Sequence, residues 1–454
     1  MSIFKAYDIR GIVGENLTPV VVTQIGQAIG SEAIAQGQAQ VVVARDGRLS
    51  GLELLTALIT GLQAAGCPVI DIGMVPTPVL YFATYYLNTG NGVMLTGSHN
   101  PPNYNGLKIM IGGEALSGER IQALKTRIDN NELSYGNGTL ESLDIGAAYI
   151  KRITDDIKLA RPFKVIIDAG NGVTGVLAPQ LIRALGCEVV ELFCEIDGHF
   201  PNHHPDPSVP ENLVEMIAVV KSENADLGFA FDGDGDRLGV IDAKGKIIWP
   251  DRQMILYATD LLKRHPGAQI IYDVKCSRHL DHAIQQHGGK PLMWKTGHSL
   301  IKAKMKATGA LLGGEMSGHV FFKERWYGFD DALYTAARLL EILSQDNRQP
   351  EEVFASLPDA VNTPELKLEL KQFGEHFELM QKIRDTFQFE AAQVATIDGV
   401  RADFQDGWGL VRPSNTTPSL IFRFEADNLA ALTRIQTQFR QQLLAIDKQL
   451  KLPF

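Results

Sequence analysis

The sequence predicts an α/β protein built from three similar βαβ-type domains and a smaller α+β domain at its C-terminal end. Three observations carry this prediction: the length of the chain, a threefold repeat of strands and helices, and a change of pattern after about residue 358. The chain has 454 residues, whereas a single hydrophobic core seldom grows beyond about 250–300 residues. Several domains are therefore expected.

The repeat is visible as three apolar, β-branched runs that each lead into an aspartate. These runs lie at residues 41–48, 164–172 and 270–278. Runs of this kind are typical of strands that are buried on both faces of a parallel sheet. In each unit a helical stretch follows, then a glycine-marked second strand and finally a third strand. Strands that alternate with helices in this way predict βαβ units with right-handed crossovers.

Each third strand leads into a polar, glycine-rich loop, and the three loops differ in their chemistry. They occur in the segments 92–101, 227–237 and 309–319. The first carries a serine, the second three aspartates and the third a glutamate. Ligands of parallel sheets bind beyond the carboxyl ends of the strands. The loops therefore predict one shared active site, with independent surface turns as the alternative.

The repeat stops after about residue 358, and a different pattern follows. Residues 365–370 alternate as a strand, residues 375–387 have helical spacing, and residues 409–419 form a polar loop. The last stretch predicts a helix whose core-facing side consists of Leu429, Leu432, Ile435, Phe439 and Leu443. The predicted domains are residues 1–145, 146–247, 248–357 and 358–454.

The composition excludes several classes of function. The chain has 43 basic and 53 acidic residues, a formal net charge of −10, and no basic stripe, so a nucleic-acid partner is not expected. The amino terminus has no apolar run, and no stretch approaches about 18 apolar residues, which argues against a signal peptide and a membrane span. The four cysteines lack paired CxxC spacing, as expected for reduced thiols in a cytoplasmic protein. An anionic substrate would need a locally basic cleft.

The segment FDGDGDR holds three aspartates separated by glycines: Asp232, Asp234 and Asp236. The glycines let the backbone curl so that the carboxylates converge. Carboxylates this crowded repel each other unless a cation neutralises them, and all-oxygen ligands suit Mg²⁺. One alternative is a calcium loop of the EF-hand type, but Ala243 stands where such a loop has its glutamate. A solvated acidic turn is the other.

The segment TGSHNPPNYNG places Ser98 between Gly97 and His99. A serine beside a histidine suggests a hydrolase, but neighbours in sequence rarely align for proton transfer, and the GxSxG elbow is missing. A metal loop at the equivalent place in the next unit favours a serine that carries phosphate. Phosphoserine adds a charge of about −1.5 to −2, which a cation offsets. The alternative is an ordinary turn serine.

The two remaining loops suit a sugar and a phosphate. The segment GGEMSGH presents Glu315, Ser317 and His319. A carboxylate and a hydroxyl side by side suit vicinal sugar hydroxyls, although they could also cap a helix. In the fourth loop, a guanidinium with several hydroxyl and amide donors suits a phosphate clamp, with a capped turn as the alternative. The residues of this clamp are Arg412, Ser414, Asn415, Thr416 and Thr417.

Together the four loops resemble those of the α-D-phosphohexomutase superfamily, in the same order along essentially the whole chain. The segments that carry the resemblance are KAYDIRG, TGSHNPP, FDGDGDR, GEMSGH and RPSNTTP. The GEMSG form is similar to that of the bacterial phosphomannomutase/phosphoglucomutase group, whereas phosphoglucosamine mutases typically have GEQSG. The resemblance implies a heart-shaped monomer in which the domains, with mixed sheets, surround a central cleft.

The resemblance also implies a role for individual residues. The implied catalytic residues are Ser98, Lys108, Arg237 and His298. The implied metal ligands, for Mg²⁺, are Ser98, Asp232, Asp234 and Asp236. The implied substrate-binding residues are Tyr7, Arg10, Lys275, Lys295, Glu315, Ser317, His319, Arg412, Ser414, Asn415, Thr416 and Thr417.

The implied reaction shuttles a phosphoryl group between Ser98 and the two ends of a hexose phosphate, such as mannose or glucose phosphate. It passes through hexose 1,6-bisphosphate, which also serves as activator. Lys108 and His298 are the candidates for general acid and base, and a lysine base would need its pKa lowered by cations such as Arg237. Two alternatives stay open: a phosphoglucosamine mutase, and a non-catalytic protein that binds sugar phosphate or calcium.

Overall fold

Four β-sheets form the framework of the described chain, one in each of four domains that we number I to IV in chain order. The computed structural model describes residues 3–415 and 417–454. The predicted α/β class, the mixed sheets and the smaller C-terminal domain are confirmed. Within these residues, no helix combines the length and the apolar character that crossing a bilayer requires.

Domain I contains a seven-stranded sheet. Its strands are β1 (Ile9–Ile12), β2 (Val41–Arg45), β3 (Val69–Met74), β4 (Gly92–Leu95), β5 (Tyr104–Ile111), β6 (Glu114–Ala115) and β7 (Leu140–Ser142). Its helices are α1 (Pro19–Ala35), α2 (Gly51–Ala65), α3 (Thr77–Tyr86) and α4 (Glu119–Asp129). The strand order is β1-β5-β4-β2-β3-β7, with β6 paired to β5. Helix α1 begins after Thr18, whose hydroxyl caps it, and Pro19 occupies the first position, where no backbone N–H is needed.

Domain II contains a five-stranded sheet in the order β12-β11-β10-β8-β9. Its strands are β8 (Lys164–Asp168), β9 (Glu188–Leu192), β10 (Leu227–Phe231), β11 (Leu238–Asp242) and β12 (Ile247–Ile248). Its helices are α5 (Gly146–Asp156), α6 (Ala178–Ala184) and α7 (Val214–Ser222), with short 3₁₀ turns at Val173–Val176 and Pro210–Leu213.

Domain III contains a four-stranded sheet in the order β14-β13-β15-β16. Its strands are β13 (Gln269–Asp273), β14 (Lys290–Trp294), β15 (Leu312–Gly314) and β16 (Val320–Phe322). Its helices are α8 (Pro250–Arg264), α9 (Arg278–Gln286), α10 (His298–Thr308), α11 (Ala332–Gln345) and α12 (Pro350–Ala355).

The strand order of these three sheets confirms the threefold repeat. In each sheet the first strand of the repeat lies between the other two and runs parallel to both: β2 between β3 and β4, β8 between β9 and β10, and β13 between β14 and β15. A fourth strand, β5, β11 or β16, then returns antiparallel to the third. The loop between the third and fourth strands therefore lies at the carboxyl ends of the parallel strands, where ligands bind.

Domain IV contains a six-stranded antiparallel sheet in the order β17-β22-β21-β20-β19, with β18 paired to β22. Its strands are β17 (Val361–Asn362), β18 (Leu366–Glu369), β19 (Gln393–Ala395), β20 (Val400–Phe404), β21 (Gly407–Pro413) and β22 (Ser419–Ala426). Its helices are α13 (Glu375–Thr386) and α14 (Leu429–Ile446). The strand and helix predicted near residues 365–387 are thus confirmed. The prediction that Leu429 joins the core is wrong: it is 67% exposed, because it is the first residue of α14, before the turns that meet the sheet.

The apolar core of domain IV is separate from the core that the other three domains share, and each of domains I, II and III also has a further apolar cluster. One continuous core runs through domains I, II and III, from Val42 to Phe354. Domain IV has a core of its own, and a small cluster of Val274, Trp408 and Leu410 connects it to domain III. The four cysteines are free, as predicted, and three of them are buried.

Candidate active site

Side chains from all four domains meet along one continuous path of contacts. Ser98 Oγ, in the loop after β4, donates a hydrogen bond to Asp232 Oδ2, in the loop after β10, at 3.1 Å. Arg237 Nε, at the end of that second loop, donates to His319 Nε2, in the loop after β15, at 3.1 Å. Asn415 of domain IV donates a hydrogen bond to the Tyr7 hydroxyl of domain I. The structure therefore brings together the four loops that the sequence assigns to one site.

Ser98 points at the aspartate loop from a backbone conformation that is uncommon for a residue with a Cβ. Its φ is 48°, in the left-handed region. Its N–H donates to Thr96 Oγ1 at 2.8 Å, and the residue is only 2% exposed. His99 Nδ1 also lies 3.2 Å from Ser98 Oγ, closer than expected for neighbours in sequence. Burial, together with Arg237, holds the pKa of His99 well below its usual range.

The loop of residues 232–237 curls so that its three carboxylates converge. Their oxygens lie within 4.8 Å of one another, and all three residues are buried. Gly235, with a φ of 80°, supplies the left-handed turn that the curl requires. Asp232 Oδ1 accepts hydrogen bonds from the N–H groups of Gly235, Asp236 and Arg237 at 3.0–3.2 Å. One carboxylate thus fixes the loop and orients the other two.

The electrostatics of this loop are extreme. Burial, reinforced by Asp236 and Asp234, raises the pKa of Asp232 well above its usual range. Lys108 Nζ lies 2.7 Å from Asp234 Oδ2 and also pairs with Asp236. Burial opposes the charge on Lys108, but these two aspartates hold its pKa well above the usual range. The condition that a lysine base would need, a pKa lowered by cations such as Arg237, is therefore not met at Lys108, because the two aspartates raise it.

The aspartate loop fits a divalent cation. Asp234 Oδ1 and Asp236 Oδ1 are buried and, within the described residues, have no hydrogen-bond partner. Buried carboxylate oxygens are costly without a partner, and a metal ion supplies one. An all-oxygen set of this kind suits a hard cation. A second group that could reach a metal ion consists of Asp236, His319 and Asp330.

Two histidines of domain III flank Asp330, a buried residue that the sequence analysis missed. His319 Nδ1 lies 3.1 Å and His298 Nδ1 lies 3.7 Å from Asp330 Oδ2. Lys302 Nζ donates to Asp330 Oδ1 at 2.8 Å. Burial, together with Lys302, holds the pKa of His298 well below its usual range. His298 is therefore a neutral imidazole near neutral pH.

Glu315 is buried at the end of β15 and is held by backbone. Its Oε1 accepts a hydrogen bond from the N–H of Gly297 at 2.5 Å. Burial raises the pKa of Glu315 above its usual value. Gly318, with a φ of 103°, turns the chain back into β16, so that Ser317 stays half-buried on the same turn.

The domain IV loop carries the guanidinium of Arg412, which is bonded on one side to Asp398. Arg412 Nε donates to Asp398 Oδ2 at 3.0 Å, and the same carboxylate oxygen accepts the N–H of Thr296 from domain III at 3.0 Å. Arg412 Nη2 is buried and has no hydrogen-bond partner among residues 3–415 and 417–454. Thr417 Oγ1 donates to Ser414 Oγ at 2.9 Å. The predicted clamp residue Thr416 lies outside the described residues.

Three further predicted cations have different surroundings. Arg10 is ion-paired with Asp8 at 2.5 Å and also bonds to Asn100 near Ser98. Lys275 Nζ donates to Glu365 Oε1 of domain IV at 2.5 Å. Lys295 is exposed. Lys108, Arg237 and Arg412 likewise lie beside carboxylates, so the basic cleft that an anionic substrate requires stays a prediction.

Four contributors were not singled out from the sequence. Thr77 donates to Asp234 Oδ2 at 2.5 Å, Asp398 holds Arg412, and Glu365 holds Lys275. Asp330 organises the histidines. Each is a single polar residue whose partner lies 11 or more residues away in sequence, so no local motif marks it.

The fold and the four-loop site define a class of protein that comparison with known families identifies. The phosphoglucomutase/phosphomannomutase alpha/beta/alpha domains I, II and III match residues 1–134, 147–245 and 249–361. The C-terminal domain of the same family matches residues 376–442. This chain belongs to the phosphoglucomutase/phosphomannomutase family.

Individual relatives resemble the chain along its whole length. The phosphomannomutase/phosphoglucomutase of Pseudomonas aeruginosa is 59% identical over 453 residues, covering 100% of this chain and 98% of that protein. The phosphoglucomutase of Neisseria gonorrhoeae is 53% identical over 442 residues, 97% of this chain and 96% of its own. The X-ray structure of a phosphoglucomutase/phosphomannomutase family protein from Burkholderia thailandensis has a TM-score of 0.95 at 55% identity, covering 100% and 99% of the two chains. The resemblance inferred from the four motifs is confirmed.

Proposed function

We propose that this protein is a phosphohexomutase that interconverts the 1-phosphates and 6-phosphates of mannose and glucose. The observation that carries the proposal is the hydrogen bond from Ser98 Oγ to Asp232, which puts a hydroxyl beside a site that fits a divalent cation. Full-length similarity to a phosphomannomutase/phosphoglucomutase and a phosphoglucomutase supports the same function. The protein would be an isomerase that works by transferring a phosphoryl group.

In this proposal Asp232, Asp234 and Asp236 hold Mg²⁺, with Ser98 as the fourth contact. When bound, the ion supplies positive charge that offsets the charge of the transferred phosphoryl group. Arg237 and Lys108 add fixed positive charge on the protein side, in a buried environment where it is most effective.

The reaction begins with a phosphoryl group on Ser98. Its transfer to the free hydroxyl of a hexose monophosphate breaks the bond from Ser98 Oγ to phosphorus and yields the hexose 1,6-bisphosphate. The bisphosphate then turns end for end, and its other phosphoryl group returns to Ser98, which releases the isomeric monophosphate. Neutral His298 suits the base that takes the hydroxyl proton, while Lys108, held protonated by Asp234 and Asp236, suits charge neutralisation.

The rest of the cleft would hold the sugar and the phosphate that is not reacting. Glu315 and Ser317 would bind the sugar 3-hydroxyl and 4-hydroxyl. The guanidinium of Arg412, which is buried and whose Nη2 has no hydrogen-bond partner among the described residues, supports a phosphate contact. The further proposed contacts are Tyr7, Arg10, Lys275, Lys295, His319, Ser414, Asn415, Thr416 and Thr417.

The proposal also includes a setting for the enzyme. Hexose 1,6-bisphosphate would act as activator, because it can phosphorylate Ser98 when the serine is free. We infer a cytoplasmic monomer with small hexose phosphates as its partners and no nucleic-acid partner, as the acidic composition favours. The domain boundaries that we propose follow residues 145, 247 and 357.

A coupled assay tests the proposal against the remaining mutase alternative. Purified protein with Mg²⁺ would receive mannose 1-phosphate, glucose 1-phosphate or glucosamine 1-phosphate, each with a trace of the matching 1,6-bisphosphate. We expect comparable kcat/KM for mannose and glucose and a much lower value for glucosamine, in line with Met316 in the GEMSG loop. Preference for glucosamine would favour a phosphoglucosamine mutase. Binding without turnover of any substrate would favour a non-catalytic binding protein.

A further inference from the structure

Arg48 lies beneath the Ser98 loop and binds backbone carbonyls of that loop. It follows β2 and is 1% exposed. Its Nη2 donates to the carbonyl oxygens of Ser98 at 2.8 Å and Asn100 at 2.6 Å. Its Nη1 donates to the carbonyl oxygens of Pro101 at 2.6 Å and Tyr104 at 2.9 Å. One guanidinium therefore donates hydrogen bonds to four carbonyl groups between Ser98 and Tyr104.

Asp46, two residues earlier, binds the N–H side of the same loop. Its Oδ2 accepts hydrogen bonds from Thr96 Oγ1 at 2.7 Å and from the N–H of Gly97 at 3.2 Å. Arg48 Nε lies 3.3 Å from the same carboxylate. The ion pair of Asp46 and Arg48 thus holds the loop on both sides of Ser98.

The surroundings of the Ser98 carbonyl are closely packed. A Cβ at Gly97 would overlap the guanidinium of Arg48, and a Cβ at Gly233 would overlap the Ser98 carbonyl oxygen from the side of domain II. The centroid of the Phe200 ring, also from domain II, lies 5.3 Å from the guanidinium carbon. Left-handed backbone at a residue with a Cβ persists only where its surroundings over-determine it, and these contacts do so.

We propose that Arg48 and Asp46 are positioning residues that fix Ser98 in the conformation that aims its Oγ at Asp232. The inference rests on the proposed function, because it is Ser98 that would carry the phosphoryl group. Arg48 does not touch the reacting atoms; it acts through the carbonyl of Ser98. Phosphoryl transfer depends mainly on the alignment of the phosphoryl group with the hydroxyl that receives it. If Ser98 is displaced, the transfer rate should fall and water should reach its phosphate more easily.

Arg48→Lys tests the proposal. A lysine keeps the charge, but its single ammonium group lacks the planar fork that reaches four carbonyl groups. We expect kcat to fall by roughly 10- to 100-fold, as for about an ångström of misplacement, with KM changed less than about threefold. The phosphate on Ser98, followed by intact mass in the absence of substrate, should hydrolyse several times faster than in the wild type.

Two further variants separate positioning from general stability. Gly97→Ala pushes the guanidinium from the opposite side and should reproduce the loss of kcat and the shorter phosphoserine lifetime, even if Arg48→Lys does not fold. Arg338→Lys is the matched control: this buried arginine of α11 binds Glu324 at 2.9 Å. It should lower the melting temperature but keep the wild-type kcat and phosphoserine lifetime.

The outcomes are distinct. Wild-type kcat and phosphoserine lifetime in Gly97→Ala, or in a folded Arg48→Lys, would overturn the positioning role. The same loss of kcat in Arg338→Lys as in Arg48→Lys would also overturn it, because destabilisation would then explain both. A wild-type protein that shows neither phosphate on Ser98 nor mutase activity would instead refute the proposed function, and the positioning role with it.

Discussion

The two ends of the cleft are built in different ways. At the Ser98 end, domains I and II are joined by short polar contacts: Thr77 Oγ1 and Lys108 Nζ reach Asp234 Oδ2 at 2.5 and 2.7 Å, and Ser98 bonds to Asp232. These contacts lie above the core that domains I to III share. At the Arg412 end, the loop belongs to a domain with a core of its own.

Domain IV is held to the rest largely by polar contacts and one linker. Arg401 Nη1 donates to the carbonyls of Val274 and Cys276, both at 2.8 Å, on either side of Lys275. In the linker, Asp359 pairs with Lys246 at 3.0 Å and with Arg252 at 2.5 Å. An interface made of polar contacts and a small apolar patch opens more readily than a shared hydrophobic core, because water can replace the polar contacts.

This difference fits a reaction in which the chemistry stays in one place while the substrate turns. The end that would transfer the phosphoryl group is buried and bonded across domains. We propose that the end that would hold the other phosphate moves as a separate body about the linker near Pro358. A rigid cleft, roomy enough for the sugar to rotate in place, is the alternative.

Removing the cation should disrupt the Ser98 end of the cleft, and we expect this change to give the largest effect. We expect exhaustive chelation to lower kcat by more than about 100-fold and Mg²⁺ to restore it, because the carboxylates and the phosphoryl group otherwise repel each other. Asp234→Asn should weaken the response to Mg²⁺, whereas Asp242→Asn, which changes a buried aspartate at the end of β11, should not. Full activity of a verified metal-free sample would rule out this role.

Arg412→Ala should weaken substrate binding at the Arg412 end of the cleft. Hydrogen bonds to charged groups contribute about 1.5–3 kcal/mol, so KM should rise roughly 10- to 150-fold, with a smaller change in kcat. More free bisphosphate should escape during turnover, which a discontinuous assay can measure. Arg434→Ala, at an exposed arginine of α14 in the same domain, is the control and should leave KM unchanged. A fall in kcat at constant KM would show instead that Arg412 acts in the transfer step at the Ser98 end of the cleft.

The loop that carries Glu315, between the two ends of the cleft, should discriminate between hexoses that differ at C4 but not between hexoses that differ at C2. Galactose phosphates, inverted at C4, should lose the hydrogen bond that the buried Glu315 or the neighbouring Ser317 would make to the 4-hydroxyl, which costs about 1–3 kcal/mol or roughly 5- to 150-fold in kcat/KM. Competing substrate pairs in one reaction give this ratio directly. Equal kcat/KM for galactose and glucose phosphates would show that Glu315 does not read the 4-hydroxyl.

The smallest expected effect concerns the contact between domains II and III beneath the Ser98 end of the cleft. Asp331 caps α11 and accepts a hydrogen bond from Tyr149 of domain II at 2.8 Å. Burial raises the pKa of Asp331 from 3.8 to about 7. The folded state therefore keeps a proton that the unfolded state has lost, and this residue's contribution to stability falls as pH rises from about 4 to about 7.

Asp331→Asn should remove that dependence, since asparagine is neutral and still caps a helix. The melting temperature of the variant minus that of the wild type should rise across pH 4 to 7 and then level off, as calorimetry can show. A difference that stays constant with pH would mean that folding does not raise the pKa of Asp331.

The fold and the four loops could be predicted because their signals are local. A strand that ends in Gly-Ser-His or Asp-Gly-Asp-Gly-Asp carries its chemistry within a few residues, and the threefold repeat shows where those loops meet. The pKa of Lys108, the carbonyl contacts of Arg48 and the exposure of Leu429 could not be predicted in the same way. They depend on packing between segments far apart in sequence: Lys108 meets Asp234 only when domains I and II join.

The central claim is that Ser98 carries the phosphoryl group that the substrate receives. The most direct test is a single turnover in which protein radiolabelled on Ser98 is mixed with unlabelled glucose 1-phosphate and quenched over time. The account predicts that label leaves Ser98, appears first in glucose 1,6-bisphosphate and ends in glucose 6-phosphate, while Ser98→Ala takes up no label. Label on another residue, or near-wild-type turnover by Ser98→Ala, would contradict it.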